Sequence, residues 1–169
     1  YWDLKKNILN KKNTKVNQED LLGYVEKNIR NSISSHLVSD VPIGITLSSG
    51  LDSTVLLNYL LENKNLSKIK TFTYGYYENT YDESKKIQKI YEHNKIEPHI
   101  SKLKSTDLLS ELKEAVIYFQ SPVGGLGTLS LFNLMKAIKK NDVNVILSGE
   151  GADEIFAGYK YYFYALLLD

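Results

Sequence analysis

Two short segments of this chain combine glycine, hydroxyl and carboxylate residues in an arrangement that suits phosphate chemistry. The first, residues 48–54, reads Ser-Ser-Gly-Leu-Asp-Ser-Thr and directly follows an apolar run. The second, residues 147–154, reads Leu-Ser-Gly-Glu-Gly-Ala-Asp-Glu and has the same general form. Such a turn presents backbone N–H groups and a helix N-terminus to an anion. Because Asp52 adds a carboxylate that could hold a cation beside that anion, the two segments predict a site for phosphate and a divalent metal.

The composition is that of an ordinary globular domain, and it excludes several classes of function. The chain has 169 residues, of which 43% are apolar and 24% charged, which is enough for one sizeable core. Its formal net charge of +1 gives no strong electrostatic signal for nucleic-acid binding. No apolar run reaches about 18 residues, so the sequence predicts no membrane span. The absence of cysteine excludes disulfides and thiolate metal sites within these residues and suits a reducing, cytoplasmic compartment.

Apolar periodicity predicts short strands that alternate with longer helices. Strands are expected at residues 43–47, 69–74, 98–103 and 143–147. The third should lie at a sheet edge because Pro98 opens it. Helical spacing occupies the intervals, and a single last helix is expected from Glu150 onward. This alternation predicts an α/β fold, a parallel twisted sheet with helices on both faces.

The predicted sheet also indicates where a ligand would bind. In such sheets the functional loops follow the carboxyl ends of strands, and ligands bind where the strand order reverses. The first and fourth predicted strands lead into the two glycine-containing segments. If these strands are neighbours, with the second and third on the other side of the first, both segments face one crevice.

The first segment matches neither of the two commonest phosphate motifs. It has no lysine after Gly50, so it is not a Walker A element, and it is not a G-x-G-x-x-G turn. A simple strand-to-helix turn capped by Asp52 is an alternative interpretation. The segment resembles the PP-loop of ATP pyrophosphatases, usually written S-G-G-x-D-S, with Ser49 in place of the first glycine.

The second segment narrows this resemblance to one family. Residues 148–159 read Ser-Gly-Glu-Gly-Ala-Asp-Glu-Ile-Phe-Ala-Gly-Tyr and resemble the S-G-E-G-x-D-E-[LV]-F-[GA]-G-Y signature of asparagine synthetases. The second predicted strand ends in the F-x-x-G pattern between Phe72 and Gly75. Together these motifs extend the resemblance over nearly the whole chain. It implies an adenine nucleotide alpha hydrolase-like fold and cleavage of ATP between its α and β phosphates.

The resemblance implies roles for individual residues, with ATP and Mg²⁺ as cofactors. Pyrophosphate would be bound by Ser48, Gly50, Leu51, Asp52 and Ser53. The adenosine side of the crevice would consist of Leu47, Tyr74, Ser148 and Gly149. Mg²⁺ would be held by Asp52 and Asp153. Glu150 would handle the proton of the attacking ammonia, although it could instead cap the following helix.

Three further acidic or aromatic residues lie in or near these motifs. Glu154 and Tyr159 are expected to be structural parts of the second turn. Asp82 matches a family position near the ATP site, but a helix cap explains it equally well.

The resemblance also implies partners and a larger protein. Residues 1–16 would be a linker from a glutaminase domain that is missing here, and residues 17–169 would be the N-terminal part of the synthetase domain. A family lysine that stabilises charge would lie beyond Asp169, so this segment alone is expected to bind nucleotide but to be nearly inactive. The partners implied are ATP, a carboxylate acceptor and the glutaminase domain, with a homodimer allowed and neither nucleic acid nor membrane.

The identity of the acceptor stays open. Many asparagine synthetases have an acidic residue before the proline of this region, whereas Gln120-Ser121-Pro122 occurs here. This variant resembles amidotransferases that act on other carboxylates, including sugar acids, and β-lactam synthetase is a related alternative. A non-catalytic nucleotide-binding domain is the alternative from a different functional class.

Overall fold

The computed structural model describes residues 3, 17–62, 69–76 and 84–168, and it divides the chain into two compact units, Tyr1–His36 and Leu37–Asp169. In the first unit the helix α1 (Gln18–His36) follows Asn17, whose side-chain oxygen lies 3.4 Å from the Glu19 nitrogen. Asn17 thus occupies the N-cap position of α1. The predicted linker, residues 1–16, lies outside the described residues except for Asp3.

The second unit contains a parallel sheet and helices. The strands are β1 (Ile43–Thr46), β2 (Lys70–Tyr76), β3 (Pro98–Leu103) and β4 (Val145–Leu147). The helices are α2 (Leu51–Glu62), α3 (Ser84–Asn94), α4 (Leu108–Phe119), α5 (Leu126–Lys139), α6 (Ala152–Phe156) and α7 (Lys160–Leu168), with a 3₁₀ turn at Ser105–Asp107. Within the described residues, no helix is long and apolar enough to cross a membrane.

The four strands are all parallel and lie in the order β3-β2-β1-β4. The chain runs from β1 through β2 to the edge strand β3 and then returns to the other side of β1 for β4. The strand order therefore reverses between β1 and β4, where Ile45 pairs with Leu147. This confirms the predicted parallel sheet, the edge position of β3 and the neighbouring positions of the first and fourth strands.

Helices cover both faces of the sheet, as β2 shows. Phe72 packs on one face against the α5 residues Leu134 and Ile138. Thr73 points to the opposite face, since successive strand residues alternate, and its hydroxyl lies 2.7 Å from the Tyr91 hydroxyl of α3. The Thr73 hydroxyl donates its own hydrogen to the Leu47 carbonyl at 2.8 Å, so the Tyr91 phenol is the donor in this bond. Burial raises the pKa of Tyr91, which keeps the phenol protonated. The predicted α/β class with helices on both faces is confirmed.

The structure differs from the predicted boundaries near the end of the chain. The fourth strand begins at Val145 rather than 143, although Val143 is buried in the core. The prediction of one helix from Glu150 onward is wrong, because α6 ends at Phe156 and the next residue, Ala157, is left-handed with φ 56°. The Gly158 N–H then donates to the Asp153 carbonyl at 2.9 Å, which closes α6 before α7 begins.

Helix was expected from Asp82, but this residue lies outside the described residues, as does its predicted role near the nucleotide. The described helix begins at Ser84.

The buried hydroxyl of Thr73 provides a test of how β1 and β2 are joined. It donates a hydrogen bond to the Leu47 carbonyl at 2.8 Å and accepts one from the Tyr91 phenol. Replacing Thr73 by Val should lower the free energy of unfolding by about 2 kcal/mol, because two buried polar groups lose their partner. Tyr91→Phe should cost less, since Thr73 then still binds Leu47. Urea unfolding followed by circular dichroism measures both, and equal stability of Thr73→Val and wild type would contradict the assignment.

Candidate nucleotide site

A cavity of about 570 Å³ opens at the carboxyl ends of β1, β2 and β4, large enough for a small-molecule ligand. It is lined by Thr46, Leu47, Ser48, Gly50, Asp52, Ser53, Phe72, Tyr74, Leu134, Ser148, Gly149, Glu150, Gly151, Asp153, Glu154 and Tyr159. Both glycine-containing segments contribute residues to this lining. The cavity thus lies at the edge of the sheet where the strand order reverses, the place at which parallel α/β proteins bind ligands.

The structure brings together nearly all of the residues predicted for the site. Those that line the cavity are Leu47, Ser48, Gly50, Asp52, Ser53, Tyr74, Ser148, Gly149, Glu150 and Asp153. Leu51 is the exception, because it is the first residue of α2 and its side chain is 76% exposed. The predicted contact of the Leu51 side chain with pyrophosphate therefore has no support in the lining of the cavity.

Several lining residues were not predicted as part of the site. Thr46 and Phe72 lie on strands, and strand alternation could have placed them beside the predicted residues. Leu134 lies on α5, and no sequence signal marks it, because its position depends on how that helix packs over the sheet. Glu154 and Tyr159, expected to be structural, line the cavity as well.

The first segment is held in shape by its own serine hydroxyls. The buried Ser53 hydroxyl lies 3.1 Å from the Ser48 nitrogen and 3.0 Å from the Ser48 carbonyl. The Ser48 hydroxyl in turn accepts the Gly50 N–H at 3.2 Å. The backbone N–H groups of Ser48 and Gly50 thus already donate hydrogen bonds within the turn. The first turn of α2, in which a helix leaves its N–H groups without intrahelical partners, is therefore the main source of amides for an anion.

Asp52 does not act as the helix cap that the alternative interpretation proposed. It is the second residue of α2, inside the first turn, and its side chain is half-buried at the cavity wall. The first helical bond runs from the Thr54 N–H to the Gly50 carbonyl at 3.3 Å. Asp52 thus lies inside the helix, and it is one of the residues that line the cavity.

Gly149 allows the two segments to touch. A Cβ at this position would lie 2.9 Å from the Cβ of Asp52 and 3.0 Å from the Ser53 nitrogen, too close for any side chain. The turn after β4 therefore packs directly on the backbone that begins α2. This contact places Ser148 and Glu150 on the same cavity wall as Asp52.

Glu150 is exposed and precedes the short helix α6 by two residues. The N-cap of α6 is Gly151, with φ 92° and no capping side-chain hydrogen bond. The alternative role of Glu150 as a helix cap is therefore absent from this structure. Glu150 is instead one of the residues that line the cavity.

A hydrogen bond across the second turn joins two of the unpredicted lining residues. The Tyr159 hydroxyl donates to a carboxylate oxygen of Glu154 at 2.7 Å. This bond raises the pKa of Tyr159 to about 12, and it lowers the pKa of Glu154. Glu154 is therefore an anion and Tyr159 a neutral donor at physiological pH.

The acidic residues of the cavity fit Mg²⁺ only together with a polyphosphate. Within the described residues, no group of three or more His, Cys, Asp or Glu side chains could hold a metal alone. Mg²⁺ is commonly bound by one or two carboxylates with substrate phosphates completing the octahedron. Asp52 and Asp153 line the same cavity, so the residues present are compatible with this mode of binding.

A parallel sheet with two glycine-containing turns around a cavity at its switch point places this domain among the α/β proteins that bind ligands at that edge. Residues 24–169 match the family model described as Asparagine synthase, and the chain belongs to this family of ligases. The predicted family resemblance is confirmed.

Curated relatives agree with this assignment. The chain is 31% identical over 161 residues to a putative asparagine synthetase [glutamine-hydrolyzing] 2 of Methanocaldococcus jannaschii, covering 94% of the chain and 30% of the relative. It is 34% identical over 154 residues to asparagine synthetase [glutamine-hydrolyzing] 1 of Bacillus subtilis, covering 90% of the chain and 24% of the relative. The chain thus spans less than a third of the length of either protein.

Two more distant proteins are also similar. An amidase, chyE, of Penicillium rubens is 27% identical over 94% of the chain and 25% of its own length. A solved structure of glutamine-dependent NAD+ synthetase from Acinetobacter baumannii, in complex with ADP, aligns with 77% of this chain and 25% of that chain, with a TM-score of 0.49 and 18% identity.

The contact at Gly149 predicts a strong effect of a single methyl group. Gly149→Ala should weaken ATP binding about tenfold or more, because overpacking forces the two turns apart at a cost of about 1–3 kcal/mol. Calorimetry with Mg–ATP measures the change. Gly124→Ala is the matched control, since a Cβ there meets only Thr128 Oγ1 at an ordinary 3.5 Å. Unchanged affinity in Gly149→Ala would show that the site does not need this close approach.

Proposed function

We propose that this domain binds Mg–ATP and activates a carboxylate for amide formation. The carboxylate oxygen attacks the α-phosphorus of ATP, the bond to the bridging oxygen breaks, and pyrophosphate leaves. Ammonia then attacks the acyl carbon of the acyl-adenylate and AMP leaves. Membership of the asparagine synthase family and the convergence of the two turns on one cavity support this proposal.

The negative charge of the cavity lining is the observation that most strongly supports binding of ATP together with Mg²⁺. In the part of the chain that the structure describes, the lining includes four carboxylates and no lysine, arginine or histidine. Two like charges about 4 Å apart repel each other by about 4 kcal/mol near a protein surface. A polyphosphate could therefore enter this cavity only together with cations. Asp52 and Asp153 would hold Mg²⁺, which supplies charge neutralisation for the departing pyrophosphate.

Each part of the cavity has a proposed role in the reaction. The amides of Leu51, Asp52 and Ser53 at the start of α2 would bind pyrophosphate, with Ser48 and Gly50 completing the turn. The adenosine would lie against Leu47, Tyr74, Ser148 and Gly149. The fixed position of Leu47 supports its role, because its N–H and carbonyl are both bonded to β2 at 2.8 Å.

Glu150 is proposed as the group that accepts a proton from the attacking ammonia. Amide formation leaves a proton to be removed from nitrogen, and a carboxylate within reach of the reacting atoms performs this transfer. The exposed carboxylate at the cavity wall is compatible with such a role.

Aspartate is the proposed acceptor, with ammonia from glutamine, as the names of two relatives indicate for those proteins. We propose residues 1–16 as a linker to a glutaminase domain and residues 17–169 as the N-terminal part of the synthetase domain. A homodimer and a cytoplasmic location complete the proposal, and the lack of cysteine is compatible with that compartment.

A second candidate is an amidotransferase that acts on a different carboxylate, such as a sugar acid. The sequence Gln120-Ser121-Pro122 and the similarity to the amidase chyE favour it. Residues 120–125 connect α4 to α5, and none of them lines the cavity. The residues proposed to bind ATP are therefore the same for either acceptor.

Removal of the Asp52 carboxylate tests the metal assignment. Asp52→Ala should weaken Mg–ATP binding about a hundredfold, which corresponds to about 2.7 kcal/mol. Calorimetry of the intact gene product at fixed Mg²⁺ measures this loss. Asp40→Ala is the control, because Asp40 is exposed on the amino-terminal side of β1. Equal ATP affinity in wild type and Asp52→Ala would contradict the assignment, and Mg–ATP binding without carboxylate-dependent AMP formation would indicate a non-catalytic domain.

Glu150→Gln should separate the two half-reactions. Carboxylate-dependent ATP–pyrophosphate exchange should persist, whereas ammonia-dependent AMP release should slow about a hundredfold, the usual range for loss of a general base. Running both assays with aspartate and with a uronic acid identifies the acceptor class. Glu97→Gln, an exposed residue just before β3, is the control. Normal AMP release by Glu150→Gln would remove Glu150 from the mechanism.

A further inference from the structure

The turn that ends α6 folds back against Asp153. Ala157 adopts a left-handed conformation, and the Gly158 N–H then donates to the Asp153 carbonyl at 2.9 Å. The backbone of Gly158 therefore lies beside the backbone of Asp153, although five residues separate them in sequence. This arrangement brings the residue after the turn into contact with a proposed metal ligand.

Gly158 provides the space that the Asp153 carboxylate occupies. A Cβ at Gly158 would lie 2.7 Å from the Cγ of Asp153 and would overlap its Oδ1 oxygen. Backbone conformation is not the reason for glycine here, because the positive φ angles among described glycines belong to Gly125 and Gly151. Any side chain at position 158 would therefore push the Asp153 carboxylate away from its present direction.

A side-chain hydrogen bond closes the same turn from the outside. Tyr159 follows Gly158, Glu154 follows Asp153, and their side chains are joined at 2.7 Å. The Tyr159 ring also stacks on Tyr161, with centroids 5.1 Å apart and an interplanar angle of 12°. The hydrogen bond therefore connects the residue after Gly158 to the residue after Asp153, and the stack packs the Tyr159 ring against α7.

We propose that Gly158 and the Glu154–Tyr159 hydrogen bond are positioning elements that direct the Asp153 carboxylate toward the metal of a bound Mg–ATP. This inference rests on the proposed function, because it assumes that Asp153 binds the metal. Gly158 acts by leaving room for the carboxylate, and the Glu154–Tyr159 pair acts by keeping the turn closed. Partners that orient a metal ligand commonly change metal affinity by about 10–100-fold when they are removed.

A positioning role and a purely structural role predict different results. Loss of positioning should raise the Mg²⁺ concentration needed for ATP binding and should leave the adenosine side intact. A general disturbance of the fold should weaken both. Adenosine has no phosphate and needs no metal, so its affinity in the presence of EDTA reports the adenosine side alone.

The experiment is calorimetry of the intact gene product, with ATP titrated at a series of Mg²⁺ concentrations and adenosine titrated in EDTA. Gly158→Ala should raise the Mg²⁺ concentration for half-maximal ATP binding about tenfold. Tyr159→Phe keeps the ring and its stacking, and it should raise this concentration about threefold through loss of one hydrogen bond. Adenosine affinity should be unchanged in both variants.

Two controls match the substitutions. Gly127→Ala adds a methyl group where nothing lies within 4 Å, and Tyr118→Phe removes a hydroxyl from an exposed ring on α4. Both should behave as wild type. If Gly158→Ala does not fold, Tyr159→Phe alone decides the result.

Asp153→Asn distinguishes failure of this inference from failure of the proposed function. If Asp153→Asn loses Mg²⁺-dependent ATP binding while Gly158→Ala and Tyr159→Phe retain it, the positioning role is overturned and the metal assignment stands. If Asp153→Asn itself binds Mg–ATP as wild type does, the metal assignment fails, and the positioning role fails with it. Equal weakening of ATP and adenosine binding in Tyr159→Phe would also overturn the positioning role.

Discussion

The contact of Gly149 with the backbone of Asp52 and Ser53 is the interaction on which the site depends. Parallel pairing of β1 and β4 brings the two following turns to the same edge of the sheet. Pairing alone would leave the turns separated by the width of a side chain. Because residue 149 has none, the turns meet, and carboxylates from distant parts of the sequence line one cavity.

The same contact also concentrates negative charge at the cavity. The described lining is rich in carboxylates and has no basic side chain, while the first turn of α2 directs amides at an anion. Phosphate without metal would face repulsion of several kcal/mol from neighbouring carboxylates. This distribution of charge supports the proposed binding of ATP together with Mg²⁺, and it agrees with a family of ATP-using ligases.

Local sequence predicted the parts of this structure that depend on neighbours in the chain. The bounds of β3 were predicted to the residue, and the placement of the first and fourth strands followed from the general rule for parallel sheets. Errors occurred where a long-range or turn contact overrides periodicity. The predicted last helix is broken because the Gly158 N–H binds the Asp153 carbonyl. Leu134 was missed because its place at the cavity depends on the packing of α5 against Phe72.

The sequence by itself determined the fold class, the two glycine-containing turns and the chemical types of the site residues, because these depend on composition, periodicity and local spacing. The tertiary structure alone decided which of those residues share a cavity and which do not. It excluded the side chain of Leu51, added Glu154 and Tyr159, and showed that Gly158 leaves room for Asp153. These outcomes depend on contacts between backbone turns that are distant in sequence, and no local pattern encodes such distances.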